Sequence, residues 1–455
     1  MHTPLSKRSR WGSRIGFILA ASGSAVGLGN IWKFPYVTGE NGGGIFVLVY
    51  LACVLLVGLP VMIAEILIGR STQNSPVGAF KSLAGDQSPW VGMGWLSIFS
   101  AFILLSFYSV VAGWSLHYTW LSISGQLAGL GPDNVAPLFS SLHASVETNL
   151  FWHLIFMGLT IAVVFRGVSK GVERWSRILM PALMIMMLML LGKSLTLDGF
   201  GKALQFLFGF HQDKFTATGA LEALGQAFFS LSIGMGAMLT YGSYLRRQDD
   251  VVGASVTISA LDTCIALIAS LMLFPIIFSY DMQPAAGPGL VFISVPIALS
   301  QMPGTSFLAT ILFALLVFAA LTSAISMLEV TTSYLIDQRG WQRRRAALAA
   351  GLTTALLGLP SALSGGTRLF GSGMEVLVGK NWFDSLDYLV TNWMLPLGGL
   401  GMALFTAWRM NQRLRQEEFL SGSRLRGFYR SWLFLLKYPV PIAILLVFLN
   451  AVGLL

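Results

Sequence analysis

Eleven apolar stretches, each long enough to cross the hydrocarbon core of a bilayer, constrain this chain more than any other feature. Numbered first to eleventh span in chain order, they lie near residues 14–37, 44–69, 91–123, 149–166, 175–197, 218–245, 251–280, 306–336, 346–364, 386–408 and 432–454. Inside a bilayer such stretches must be helical, because every backbone polar group needs a partner within the protein. Only 11% of the 455 residues are charged, against roughly 25% in soluble domains. The sequence therefore excludes a soluble globular protein and predicts an all-α polytopic membrane protein.

The basic residues predict the orientation of these helices. With the N terminus inside and the spans alternating, 23 of the 29 Lys and Arg residues fall in inside segments and five in outside loops, while Lys33 lies within a span. We therefore expect a cytoplasmic N-terminal segment at residues 1–13 and an outside C terminus. The net charge of +9 reflects this asymmetry, so no nucleic-acid partner is expected. One outside loop carries an apolar piece at 291–300, which is either a lid over an external vestibule or an ordinarily packed loop.

The residues that usually carry enzyme chemistry form no catalytic pattern. The five histidines include no HExxH pair, and no nucleophile stands beside a base in a recognisable arrangement. We therefore do not expect an enzyme.

Two spans contain stretches that disfavour a continuous helix. The first span has Gly23, Gly27 and Gly29 at mid-membrane depth, and the sixth span has the matching stretch Phe229-Ser-Leu-Ser-Ile-Gly-Met-Gly-Ala237. A glycine costs about 1 kcal/mol in a helix interior. For either stretch alone, close helix packing through small residues is the stronger explanation. Their equivalent places in two five-span halves favour a transporter built from inverted repeats with broken helices.

Long strings in these regions resemble the neurotransmitter:sodium symporter family, especially its bacterial amino-acid transporters. The strings are Ala25-Val-Gly-Leu-Gly-Asn-Ile-Trp-Lys-Phe-Pro35, Glu40-Asn-Gly-Gly-Gly44, Gln226-Ala-Phe-Phe-Ser-Leu-Ser232 and Ala319-Ala-Leu-Thr-Ser323, in family order. The resemblance implies two inverted five-helix repeats with broken first and sixth helices, at residues 14–197 and 218–408, followed by the eleventh span at 432–455. It further implies symport of a neutral hydrophobic L-amino acid with Na⁺ into the cell by alternating access, in a bacterial inner membrane and without an organic cofactor.

The same resemblance implies two sodium sites near the midplane. The second site would use the carbonyls of Gly23, Val26 and Ala319 with the hydroxyls of Thr322 and Ser323. The first site would use the carbonyl of Ala25 and the side chains of Asn30, Ser230 and Asp262. Oxygen donors of these kinds suit a hard cation. A carboxylate inside a membrane is costly unless it is paired, which makes Asp262 a functional candidate by default.

Asp262 also bears on chloride. The family more often has Asn at this position. Chloride-dependent members resemble this chain at Tyr50, Gln226 and Ser230, but they add a serine where this chain has Ala266. Because a carboxylate already balances sodium charge, we expect transport without chloride, and Asp262 is a candidate for proton countertransport.

The substrate site implied by the resemblance is apolar, with one polar end. Its residues are Ala25, Gly27, Leu104, Tyr108, Phe229, Ser232, Met235, Ser323, Ala324 and Met327. The substrate carboxylate would meet N–H groups near Gly27, the first sodium and the hydroxyl of Tyr108. Monoamine-carrying relatives place an acid in the region of Ser24 and Ala25, and this chain has none there. We therefore expect an α-amino acid between leucine and tryptophan in size.

Gates are implied on both sides of this site. Lys33 and Asp387 align with the external ion pair, and Lys33 replaces the commoner Arg, which alone forms a bidentate fork. Arg8 and Asp337 resemble the cytoplasmic pair, with Tyr244 nearby.

Four further residues complete the set of candidates. Glu65 is expected to anchor the broken helices by hydrogen bonds. Gly171 and Pro181 either let the fifth span unwind or mark a kink without function. The sequence assigns no role to Glu329.

Two other functions remain on the same scaffold. A channel needs a continuous polar lining, whereas the polar residues here form a single midplane layer. A non-transporting amino-acid sensor usually carries an added soluble domain, and the sequence has no such stretch.

Overall fold

The computed structural model of the chain describes residues 9–128, 130, 132–211, 214–283, 287–451 and 454. Over these ranges the chain is built from helices, and the β-type pairing recorded is an isolated bridge between Gly43 and Phe210. This agrees with the all-α prediction.

Eleven spans can be traced through the described residues. Nine helices are long and apolar enough to cross a membrane: Gly44–Thr72, Val91–Ile123, Val146–Phe165, Val168–Ser194, Val251–Phe278, Thr305–Arg339, Arg343–Leu363, Trp382–Arg409 and Arg426–Asn450. The first span is the bent pair Arg14–Ala25 and Gly29–Glu40, whose axes differ by 56°. The sixth span consists of two shorter helices, Ala217–Ser230 and Ala237–Gly242. The predicted breaks in the first and sixth spans are therefore present.

Two predicted span starts were wrong by six or seven residues. The fifth span begins at Val168 instead of residue 175, with a π-helical turn over Val168–Glu173. Lys170 and Glu173 in that turn, with Arg174 directly after it, interrupt the apolar run, so the pattern placed the start too late. The eleventh span begins at Arg426 instead of residue 432, because its first turns are basic and aromatic.

The break in the sixth span rests on backbone conformations that a helix cannot contain. Gly234 has φ +91° and Gly236 has φ +74°, and Ser232 has φ 53° although it is not a glycine. A β-carbon on Gly234 would lie 2.3 Å from the carbonyl oxygen of Leu395, so the tenth span packs directly against this backbone. The Gly234 N–H donates to Glu65 Oε1 at 2.6 Å. A buried carboxylate from the second span thus provides a hydrogen-bond acceptor for a backbone N–H in the break, as expected for Glu65.

Shorter helices connect the spans. They are Pro76–Ala84, Pro132–Ala144, Phe200–Phe208, Leu290–Ser300, Ser372–Val378 and Gln412–Leu420. The piece expected as either lid or loop is Leu290–Ser300, and its residues are largely buried. Phe292 packs on Trp32 and Tyr118 with ring centroids 6.1 and 5.3 Å apart. This helix belongs to the packed core.

Candidate functional site

A small cavity lies where the breaks of the first and sixth spans meet the third, eighth and tenth spans. Its lining residues are Ala25, Gly27, Leu28, Gly29, Asn30, Leu104, Tyr108, Phe229, Ser232, Met235, Ser323, Met327 and Leu395. The volume of this central cavity is about 30 Å³. Nine of the ten predicted substrate residues line it, and the tenth, Ala324, is buried outside its lining.

One end of the central cavity is polar. A β-carbon on Gly27 would lie 3.0 Å from Ser323 Oγ and 3.3 Å from the Tyr108 hydroxyl, so only glycine leaves the backbone accessible there. The Leu28 N–H points to the Tyr108 hydroxyl at 3.5 Å. These amides precede the half-helix Gly29–Glu40, whose N-terminal end carries partial positive charge and suits a carboxylate.

The other walls of the central cavity are apolar. The side chains of Leu104, Met235 and Met327 are at most 3% exposed, and no charged side chain is among the lining residues. A β-carbon on Gly29 would lie 2.4 Å from the ring of Phe229, so this ring rests on bare backbone at the edge of the cavity. Such walls accept an apolar side chain, and the methionines can adapt to its shape.

The predicted first sodium site is a buried cluster of hydrogen-bonded polar side chains. The Asn30 amide donates to Asp262 Oδ1 at 2.7 Å and to Ser230 Oγ at 2.9 Å, and Ser230 Oγ donates to Asp262 Oδ2 at 2.5 Å. The Tyr50 hydroxyl donates to Ser230 Oγ at 3.3 Å. The Gly27 N–H donates to Asn30 Oδ1 at 3.1 Å, which joins the cluster to the central cavity. Ala25 lies nearby as a lining residue of that cavity.

The predicted second sodium site contains neutral carbonyl and hydroxyl oxygens from the first and eighth spans. Ser323 Oγ lies 3.3, 3.2 and 3.4 Å from the carbonyl oxygens of Gly23, Ser24 and Val26. Thr322 Oγ1 lies 3.0 Å from the Ala319 carbonyl. The first-span carbonyls are available because that half-helix ends here, and the Gly27 N–H bonds Asn30 instead of Gly23. Carbonyl and hydroxyl oxygens of this kind fit a hard monovalent cation.

A second cavity opens on one side of the central cavity. The volume of this vestibule is about 380 Å³. It is lined by Lys33, Tyr36, Val37, Leu221, Glu222, Gly225, Gln226, Phe228, Phe229, Thr391, Asn392, Leu395, Pro396, Ile444, Val447 and Asn450. Phe229 and Leu395 line both cavities and therefore form the partition between them.

The predicted ion pair at the vestibule is not formed. Within the described residues, no ion pair joins Lys33 to Asp387 on the tenth span, and Lys33 Nζ lies 4.7 Å from the centre of the Phe229 ring. The cation therefore rests on the aromatic side chain that covers the central cavity.

The opposite side of the central cavity is closed by packed side chains. Trp11 is buried, its Nε1 donates to the Tyr241 carbonyl at 2.9 Å, and its ring packs on Tyr244 at 6.1 Å. The Tyr244 hydroxyl donates to Glu329 Oε1 at 2.6 Å, and Arg343 Nη1 donates to the same oxygen at 2.7 Å. Glu329, which the sequence left without a role, is therefore a buried ionic anchor.

The cytoplasmic pair predicted from the sequence is only half visible. Arg8 lies outside the described residues. Asp337 accepts a hydrogen bond from the Ser75 N–H at 2.8 Å, which links the eighth span to the start of helix Pro76–Ala84.

Sequence reasoning missed Leu395 and Arg343. Leu395 precedes a run of glycines in the tenth span, and Gly398 in that run lies against Gly234, so the small residues were the available signal. Arg343 begins a run of three arginines, and nothing in that run distinguishes the one that reaches Glu329.

Several known proteins are similar to this chain in sequence, and one solved structure is similar in fold. The profile of the Sodium:neurotransmitter symporter family matches residues 8–134 and 133–449. An uncharacterized sodium-dependent transporter of Bacillus subtilis is 40% identical over 452 residues, covering 99% of each chain, and one of Haemophilus influenzae is 32% identical over 460 residues, also covering 99% of each. The crystal structure of MhsT in complex with L-phenylalanine matches with a TM-score of 0.89 and 42% identity, covering 98% of this chain and 100% of that one.

These matches confirm the resemblance read from the sequence. The family profile covers nearly the whole chain, and both relatives are described as sodium-dependent transporters. The chain is accordingly a sodium-dependent membrane transporter and not an enzyme. It belongs to the sodium:neurotransmitter symporter family.

Proposed function

We propose that this protein uses the sodium gradient to carry neutral hydrophobic L-amino acids into the cell, without a requirement for chloride. The observation that carries the proposal is the contact of the buried Asp262 carboxylate with Asn30 and Ser230, directly beside a cavity with apolar walls. A sodium ion in that cluster would stand next to the carboxylate of a bound amino acid. Sodium and substrate would then strengthen each other's binding reciprocally.

The shape of the central cavity supports the substrate class. Backbone amides near Gly27 and the Tyr108 hydroxyl form its polar end, while Leu104, Met235 and Met327 form apolar walls. A substrate with its own carboxylate and an uncharged, apolar side chain satisfies both ends. MhsT, at 42% identity, was crystallised with L-phenylalanine, which lies within the proposed range from leucine to tryptophan.

The chemistry at Asp262 supports independence from chloride. Its two carboxylate oxygens accept hydrogen bonds from Asn30 and Ser230, and Tyr50 bonds Ser230 in turn. The neighbouring position on the seventh span, Ala266, is buried and offers no hydroxyl for an anion. The negative charge that chloride would supply next to sodium is therefore already part of the chain.

The two broken spans support transport by alternating access. We assign residues 14–197 and 218–408 to two inverted repeats, and the eleventh span lies outside them. The second sodium site, at Gly23, Val26, Ala319, Thr322 and Ser323, joins the first span to the eighth across the repeats. We place the vestibule outside the bacterial inner membrane and Trp11 on the cytoplasmic side, as the basic loops indicate.

Uptake into proteoliposomes tests the proposal. An inward sodium gradient should drive saturable uptake of labelled leucine, phenylalanine and tryptophan. Asp262→Ala should reduce sodium-driven uptake by at least tenfold, whereas Asp86→Ala, in an exposed turn, is the matched control and should leave it intact. Replacing chloride with gluconate should change the rate little.

Three outcomes would contradict parts of this proposal. Loss of uptake without chloride would refute chloride independence. Equal uptake by the wild type and Asp262→Ala would refute the first sodium site. Binding of the amino acid without flux would identify a sensor.

A further inference from the structure

A third cavity lies on the surface, where the third span ends and the fourth begins. It has a volume of about 780 Å³ and is lined by His117, Trp120, Glu147, Thr148, Phe151 and Trp152. It shares no lining residue with the central cavity or the vestibule. We call it the interfacial pocket. The first and third spans run in the same direction. The vestibule includes residues from the end of the first span, and the interfacial pocket includes residues from the end of the third, so both lie at the same end of the bundle.

Aromatic rings form most of the interfacial pocket. The His117 ring lies 6.1 Å from Trp120 at an interplanar angle of 27° and 5.9 Å from Trp152, and Phe151 lies 5.1 Å from Trp152. Trp120 and Phe151 remain 47% and 57% exposed, so their faces are open to a ligand. Such faces attract an organic cation through the ring quadrupole.

The charge of the interfacial pocket is complementary to the same ligand. Glu147 in the first turn of the fourth span is exposed, and no basic lysine or arginine is among the lining residues. Glu147 forms no ion pair with any described residue of the chain. The carboxylate and the rings together suit an ammonium group.

The polar atoms beside the rings suit a phosphate. The pocket includes Thr148 in the first turn of the twenty-residue helix Val146–Phe165, and the N-terminal end of a helix favours an anion. Thr148 Oγ1 accepts a hydrogen bond from Ser145 Oγ at 2.8 Å and can donate its own proton to a phosphate oxygen. One pocket thus offers places for both an ammonium and a phosphate.

The surface below the interfacial pocket suits acyl chains. Phe151, Leu154 and Gly158 lie at helical spacing on one face of the fourth span, and all three are exposed. Trp residues concentrate where the bilayer meets water, so the pocket is at headgroup depth. A free amine in water would gain nothing from this apolar face, whereas a lipid would cover it.

We propose that the interfacial pocket binds the headgroup of a phospholipid that carries a primary amine. The ammonium lies among Trp120, Trp152 and Glu147, the phosphate lies at Thr148, and the acyl chains follow Phe151 and Leu154. This site is separate from the transport pathway, and it does not depend on the identity of the amino acid carried.

Native mass spectrometry of the full chain tests this assignment. The purified protein is incubated with phosphatidylethanolamine or phosphatidylglycerol of identical acyl chains, and lipids retained after gentle activation are counted. The wild type should retain one more phosphatidylethanolamine than phosphatidylglycerol. Glu147→Gln should reduce that retention about three- to fivefold, from the loss of one carboxylate at an exposed cation site.

Matched variants separate this site from general lipid binding. Glu375→Gln removes a carboxylate from the first turn of another exposed helix and should leave retention unchanged. Trp120→Ala should weaken phosphatidylethanolamine retention without affecting phosphatidylglycerol. Equal retention of both lipids by the wild type, or equal loss in Glu147→Gln and Glu375→Gln, would overturn the proposal.

Discussion

The two ends of the central cavity are closed in different ways. At the vestibule end, Phe229 and Leu395 alone separate the central cavity from a space of about 380 Å³, and Lys33 forms no ion pair with Asp387 among the described residues. At the opposite end, Trp11 packs on Tyr241 and Tyr244 above the buried Glu329. One closure is a single layer of side chains, and the other is several layers thick.

This difference indicates what each opening step costs. Opening the vestibule end requires the Phe229 ring to move, which breaks van der Waals contacts and a cation–π contact with Lys33. Opening the opposite end requires Trp11 to leave its site and Glu329 to lose Tyr244 and Arg343. A buried carboxylate that loses its partners is far more costly than the rotation of a half-buried aromatic ring. We therefore expect this structure to admit substrate from the vestibule end.

Removing the buried carboxylate should have the largest effect on this asymmetry. Glu329→Ala leaves Arg343 without its partner, which typically costs about 3–5 kcal/mol. Amide hydrogen exchange in the helix Ala237–Gly242 should then rise by two to three orders of magnitude, because local opening reports that free energy directly. Mass spectrometry of peptides that cover this helix measures the change.

A control at the vestibule end isolates the effect. Glu222→Ala removes a carboxylate that accepts an exposed hydrogen bond from Asn41 at 2.8 Å. It should leave exchange in Ala237–Gly242 unchanged. If Glu329→Ala behaved like Glu222→Ala, the thick closure would not depend on the ionic anchor.

Removing the aromatic plug should have the next largest effect. Trp11→Ala deletes the ring contacts with Phe17, Tyr241 and Tyr244, and a buried Trp to Ala change costs about 3 kcal/mol. Exchange in the half-helix Arg14–Ala25 should rise about a hundredfold, whereas exchange in Gly29–Glu40 should not. Trp341→Ala, at a site that is 44% exposed, is the matched control. Equal protection in Trp11→Ala and Trp341→Ala would show that Trp11 is not part of the closure.

The sequence predicted features that depend on neighbouring residues in the chain or on family motifs, but it did not predict contacts between distant residues. The break in the sixth span was predictable, because Gly234 and Gly236 supply conformations that other residues resist. The contacts among Asn30, Ser230 and Asp262 were expected from family strings, although these residues come from three separate spans.

The misses have physical causes. The start of the fifth span was misplaced because Lys170, Glu173 and Arg174 read as a loop, yet Glu173 is buried against the Gly12 N–H at 2.7 Å. Arg343 was missed because its role depends on a contact with Glu329 on the preceding span, and no periodic pattern in the sequence indicates that contact.

Changes at Lys33 should have a smaller effect than either change at the opposite end. Lys33→Met removes the cation above Phe229, a contact that contributes about 0.5–1 kcal/mol. The apparent KM for substrate should rise about two- to fivefold, with little change in maximal uptake. Lys33→Arg retains the cation and should keep KM near the wild-type value. A loss of uptake beyond tenfold in Lys33→Met would show that Lys33 closes the site through Asp387 after all.

The smallest effect is expected from the exposed pair near the vestibule end. Lys202 Nζ lies 2.6 Å from Asp281, and the hydrogen bond and charge of Lys202 lower the pKa of Asp281 below its ordinary value of 3.8. A carboxylate with a lowered pKa stabilises the folded chain above its unfolded pKa, and that contribution is lost only as pH falls through the folded value. Both side chains are more than half exposed, at 63% and 84%, so solvent and salt screen the pair. Asp281→Asn should therefore leave Tm unchanged between pH 5 and 8, at low and high salt. A decrease in Tm of several degrees that disappears in high salt would mean that a surface ion pair also stabilises the vestibule end. The two ends of the central cavity would then no longer differ in whether an ion pair stabilises them.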